Sequence, residues 1–195
     1  MEIYNNIIMA LEKWNTCGER ILDNGTKIIC HVPHVAPQAW LHEIYNPLNS
    51  NDVEKLQDRL GKQLQEDYRQ FLLLSNGINI FSDSLSVWGL KKSYDRRGEE
   101  AIQPYDLIAG NEEVRGVVPN SYVLFGSYSW DGSTMAYDIS SNSCKVFLCA
   151  PDTYEILKEW ENIWVWLNEE VNRLSLMFDE KGVMYDEDVP TIPTN

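Results

Sequence analysis

Residues 60–81, LGKQLQEDYRQFLLLSNGINIF, restrict the fold of this chain more than any other stretch. Leu64, Tyr68, Phe71, Leu72 and Ser75 recur at helical spacing, so one face of a helix is apolar. Glu66 and Asp67 put negative charge on its first turn, where exposed backbone N–H groups favour it. Asn76-Gly77 ends it, because glycine takes the left-handed conformation that closes a last helical turn. Ile80 and Phe81 then follow in strand-like order.

Periodicity divides the rest of the chain. Ile3, Ile7, Ile8, Leu11 and Trp14 share one face of a first helix. Asp23-Asn24-Gly25 predicts a turn, and residues 27–32 a short strand stopped by Pro33 and Pro37. From there to Pro47 the chain is rich in Pro and His and predicts an ordered but irregular connection. Asn51 predicts the cap of a second helix, with Glu54 completing a capping box and Val53, Leu56 and Leu60 as the inner stripe.

Leu85, Val87, Trp88 and Leu90 predict strand, and residues 91–116 a polar excursion with a short helix. Residues 122–128 predict a strand, Asp131-Gly132 a hairpin turn, 134–139 the return strand and 145–148 a further one. Asp152 predicts the cap of a last helix, with Trp160, Trp164, Leu167, Val171, Leu174 and Phe178 as its stripe and Trp166 on another surface. The reading is one domain over residues 1–182 and a frayed tail over 183–195. The fold class is α+β.

Residues 64–77 resemble the signature helix of the SUKH superfamily, written LP-x-D-Y-x-x-F-L-x-x-x-N-G. Val87-Trp88-Gly89-Leu90 is similar to the V-x-G-L segment that follows in that family. Phe125-Gly126-Ser127, Asp131-Gly132 and Met135-Ala136-Tyr137-Asp138 keep the family order of strand, D-G turn and strand. Lys145-Val146-Phe147 resembles the next strand. Gln65 stands where the family usually has Pro, a residue suited to helix starts. The resemblance covers about residues 50–175 and leaves 1–49 as an N-terminal extension. It implies a SUKH-like fold, with helices flanking a mostly antiparallel or mixed sheet, and a binding protein, because the superfamily contains fungal regulators of cell-wall glucan synthesis and bacterial immunity proteins that neutralise toxins.

Charge narrows the partners. Sixteen Lys and Arg stand against thirty Asp and Glu, a net charge of −14. Such a surface repels nucleic acid and anionic membranes and attracts basic proteins. With the resemblance, it suggests another protein as partner, for example a basic toxin such as a nuclease. The start MEIYNNIIMALEKW lacks the basic and apolar pattern of a signal peptide. Cys17, Cys30, Cys144 and Cys149 show no C-x-x-C spacing and suit free thiols in the cytoplasm.

No catalytic motif stands out. Cys30, His31, His34 and His42 cluster in sequence but lack the two close pairs a zinc site wants, so the expectation is no metal and no cofactor. Asp131 and Asp138 are the pair that a carbohydrate hydrolase would use, and the bland reading is a turn acid and a solvated strand-end acid. A small-molecule or assembly module is a third reading. Tyr128, Trp130 and Asp131 form the candidate partner-binding patch, since turn aromatics beside an acid suit an interface. The two aromatics could equally pack onto the sheet.

Overall fold

A computed structural model describes residues 2–95 and 97–193. The chain opens with helix α1 (Glu2–Leu11), a 3₁₀ stretch (Glu12–Cys17) and strands β1 (Glu19–Ile21), β2 (Lys27–His31) and β3 (Trp40–Ile44). Helices α2 (Ser50–Leu60) and α3 (Glu66–Leu74) lead into strands β4 (Ile78–Ile80) and β5 (Leu85–Val87). The polar excursion carries a short 3₁₀ turn (Gly98–Ala101) and α4 (Leu107–Glu113). Strands β6 (Tyr122–Tyr128), β7 (Thr134–Asp138), β8 (Val146–Cys149) and β9 (Ile156–Trp160) precede helix α5 (Ile163–Ser175).

Among the described residues the strands form one nine-stranded sheet in sequence order. Every pairing between these strands is antiparallel, so the fold is α+β. α3 and α5 cover the inner face through ring contacts of Tyr68 and Trp166 with Phe125. The first segment covers it further along, where Trp14 meets His42 and Phe81. On the outer face α4 lies so close to Trp88 that a Cβ on Gly110 would sit 2.5 Å from its ring. Among the described residues no helix is long and apolar enough to cross a membrane.

The Asn-Gly after α3 does more than stop a helix. Ser75 already turns extended and ends it, with φ −157 and ψ 130. Asn76 is buried and clamps the segment after β5, its amide donating to Leu90 O at 2.8 Å and its carbonyl accepting from Leu90 N at 2.7 Å. Two glycines make this approach feasible. A Cβ on Gly77 would meet Val87 O at 2.5 Å, and one on Gly89 would meet Asn76 O at 2.2 Å. Tyr68 of α3 closes the unit by donating to Trp88 O at 2.7 Å.

Several expectations need correction. The cap of α2 is Asn49, whose side chain accepts from Asp52 N, and Asn51 lies inside the first turn. The irregular stretch after Pro37 contains β3, and residues 19–21 add β1. Strands β1, β2 and β3 of this N-terminal part join the same sheet as the later strands. Asp152 caps no helix: the chain forms β9 first, and Asn162 caps α5 by accepting from Trp164 N and Val165 N. Trp160 belongs to that strand, and the buried stripe of α5 runs through Ile163, Trp166, Leu167, Glu170, Val171 and Leu174.

Within the expected tail Thr191 is buried, and residues 194–195 lie outside the described residues. Trp14 donates to Asp179 O at 2.6 Å, and Cys17 and Cys30 point their thiols at Glu180 O and Lys181 O. Arg173 pairs with buried Glu170 and donates to Thr191 O at 2.6 Å.

Asn76→Ala strips both partners from a buried backbone segment, leaving a donor and an acceptor unsatisfied. Urea unfolding should show a loss of about 2–4 kcal/mol. A change below about 0.5 kcal/mol would mean that the clamp contributes nothing.

Candidate functional site

An antiparallel meander puts alternate turns at opposite ends of its sheet. Residues 32–39, 81–84, 129–133 and 150–155 thus share one end. The 81–84 and 129–133 turns also touch, Ser129 N donating to Ser84 O at 3.4 Å, and Ser82 N donates to Leu41 O of β3 at 3.0 Å. A Cβ on Gly132 would lie 4.0 Å from Pro151.

Backbone strain gathers there. Phe81, Ser82, Asp83, Asp152 and Tyr154 have φ between 51° and 67°, and they are five of the six described non-glycine residues with positive φ. L-residues adopt that region only when their surroundings enforce it. Asp131 shapes the 129–133 turn, its carboxylate accepting from Ser133 N at 2.8 Å while Gly132 takes φ 82°. This turn leaves Trp130 44% exposed. Asp83, Asp131 and Asp152 are exposed on the same end.

Tyr128 does not join Trp130 and Asp131 at the surface. It is fully buried, and its hydroxyl accepts from Trp166 Nε1 at 3.1 Å. Burial, and then the nearby Glu170, hold the Tyr128 hydroxyl well above its ordinary pKa. A bulge between Leu124 and Gly126 resets the alternation of β6, so Phe125 and Tyr128 both reach the core. Trp166, expected on another surface, is fully buried by this contact. Tyr128 supports the turn from beneath and presents no surface of its own.

Sequence reasoning missed a polar row on the outer face. Register aligns Glu43, Asn79, Ser86, Ser127 and Thr134 across β3 to β7. All five are half-buried. Tyr45 donates to Glu43, Ser86 to Asn79 at 2.8 Å and Trp88 Nε1 to Ser127 at 3.1 Å. The Asn79 amide also donates to Asp83, tying the row to the strained turns. Burial first, and Asp83 among the lesser causes, push the Glu43 carboxyl up. A single polar residue inside Ile-Asn-Ile or Leu-Ser-Val was the available signal, but only register shows that they line up. Four of the five side chains are thus already hydrogen-bonded within the protein.

Neither of the other candidate chemistries is assembled. Asp131 lies at the turn before β7 and Asp138 at its far end, where its carboxylate accepts from Ser140 N and Oγ. Four strand steps span about 13 Å, beyond the roughly 6.5–9.5 Å of an inverting glycosidase pair. Cys30 faces the turn at Lys181, His31 Nε2 contacts Pro37 O, and His42 is buried among Trp14 and Phe81. Among the described residues no three His, Cys, Asp or Glu are grouped to hold a metal ion.

One comparison finds a match for this arrangement. The family model described as SMI1 / KNR4 family (SUKH-1) matches residues 47–169. That span contains the Asn76 clamp, the turns at 81–84, 129–133 and 150–155, and the polar row apart from Glu43. No curated protein matches the chain.

His42 adds a pH dependence. Phe81 N donates to its Nδ1, which puts the proton on Nε2 and keeps the ring neutral. Burial lowers its pKa from 6.5 to about 3. The unfolded chain therefore binds the proton first, and the stability from neutral His42 is complete above about pH 6.5 and is lost as pH falls toward 3. Between pH 6.5 and 5 the wild type should lose about 2 kcal/mol relative to His42→Leu. Parallel stability–pH curves for the two proteins would refute this.

Proposed function

We propose, from the premise that the chain belongs to the SMI1/KNR4 family (SUKH-1), that it acts by stoichiometric, non-catalytic binding of another protein. The observation that carries this reading is Trp130, a large aromatic held 44% exposed on a turn that the Asp131 carboxylate shapes by accepting from Ser133 N. Rigid aromatic anchors inside a polar rim dominate protein interfaces. Here the rim is Asp83, Asp131 and Asp152; Asp83 and Asp152 sit on left-handed backbone, and the Asp131 carboxylate shapes its own turn.

The partner is best matched as a basic protein. The net charge is −14, and the acids around Trp130 would meet its cations directly. An immunity-type role against a basic toxin such as a nuclease fits these features. Regulation of the kind found among cell-wall glucan synthesis regulators is the second reading, favoured only by family membership. Free cysteines suit the reducing cytoplasm.

Affinity capture with mass spectrometry, followed by titration against the captured partner, tests the proposal. Trp130→Ala with Asp131→Lys should weaken binding by roughly 30-fold or more, the loss of one interfacial hot spot. Unchanged binding would move the interface elsewhere. Association should also slow as salt rises past about 0.1 M, and a rate indifferent to salt would remove the charge-steering part.

A further inference from the structure

Cations are scarce here, and most have a visible use. Seven described Lys and Arg side chains pair with carboxylates at 3.6 Å or less. Lys91 and Lys158 lie over the rings of Tyr94 and Trp160. Arg59, Lys62 and Arg115 are different. None has a carboxylate in ion-pair range among the described residues, and all three line one cleft of about 120 Å³.

The fold brings them together from separate elements. Arg59 lies on the last turn of α2, Lys62 follows the left-handed Gly61, and Arg115 follows α4. The cleft sits where β6 begins, at the end of the sheet opposite Trp130. Lys62 Nζ donates to Tyr122 O at 2.7 Å, which leaves two of its three donors for other acceptors. Burial and then the charge of Arg115 lower the Lys62 pKa, so the two cations feel each other. Arg59 also reaches the Tyr94 hydroxyl. Asn111 is occupied by Leu107 O and by both backbone groups of Leu124. Glu112 is the one acid among the residues lining the cleft, against three bases.

A plainer account is that these cations complement the carbonyl ends of α2 and α4. Each helix end carries only about half a unit of negative charge. That is too little to balance three full charges, two of them in mutual repulsion with one partly buried. An anion in the cleft removes the repulsion and uses the idle donors.

We propose that this cleft binds a small oxyanion of the phosphate class, as free phosphate or as a phosphate monoester. Guanidinium groups recognise such oxygens with paired hydrogen bonds, and an ammonium adds a point charge. The proposal is independent of the partner-binding reading.

Titration calorimetry and amide chemical shifts test it, with inorganic phosphate and a nucleoside monophosphate added at constant ionic strength against chloride. Saturable binding of either, with shifts centred on Lys62, Arg115 and Gly116, is the expected result. If both bind, the free anion suffices; if only the monophosphate binds, the ester is the ligand. Lys62→Gln with Arg115→Gln should weaken binding by roughly tenfold or more. The proposal is overturned if neither compound saturates the wild type, if the shifts centre elsewhere, or if a folded double variant binds as tightly. Should that variant fail to fold, the wild-type shift map decides alone.

Discussion

The structure depends on one close approach, the backbone of Gly77 against Val87 and that of Asn76 against Gly89. It fixes where α3 ends relative to β5, and so where the inner face of the sheet receives Tyr68 and Phe71. The Asn76 amide makes the approach favourable, because the carbonyl and N–H of Leu90 would otherwise be buried without partners. Gly89 passes the constraint on: its N–H donates to Tyr105 O and its carbonyl accepts from Leu107 N. The polar excursion and α4 are thereby placed by the same few atoms. A signature helix, a short glycine-containing segment and a long insertion thus form one mechanical unit.

The two ends of the sheet carry different groups of charged side chains. One gathers strained turns, exposed aspartates and Trp130. The other gathers Arg59, Lys62 and Arg115 around a small cleft. With alternate turns at opposite ends, a meander lets a net-acidic chain keep such regions apart. The nine strands hold them at a fixed separation, and the polar row on the outer face lies between them.

Local rules made part of this legible. Hydrophobic spacing located α1 through Ile7 and Leu11 and α3 through Tyr68 and Phe71, and Asp131-Gly132 marked the β6–β7 turn. Long-range pairing hid the rest. Residues 156–160, Ile-Leu-Lys-Glu-Trp, have a helix-like composition and form an edge strand because β8 offers a free edge. Trp40–Ile44 is a strand whose inward residues include His42, which obscures its alternation. The fate of Tyr128 turned on one bulge in β6, and no local pattern announces it. In the candidate surface, Trp130 and Asp131 were readable from the turn. The polar row was not, since its members are far apart in sequence and are brought together by register alone.

The contact between Trp14 and Asp179 spans 165 positions of sequence, and Cys17 with Glu180 spans 163. The cover of α1 and of the 3₁₀ stretch after it is therefore incomplete until α5 and the turn that follows it exist. Loop closure of this length is slow compared with forming local hairpins. During synthesis the first helix emerges long before its partner, and its exposed face is a target for chaperones or for misassociation with other chains. Part of the sequence that is made first is thus among the last to become native, and the chain's vulnerability is greatest over the interval between the two.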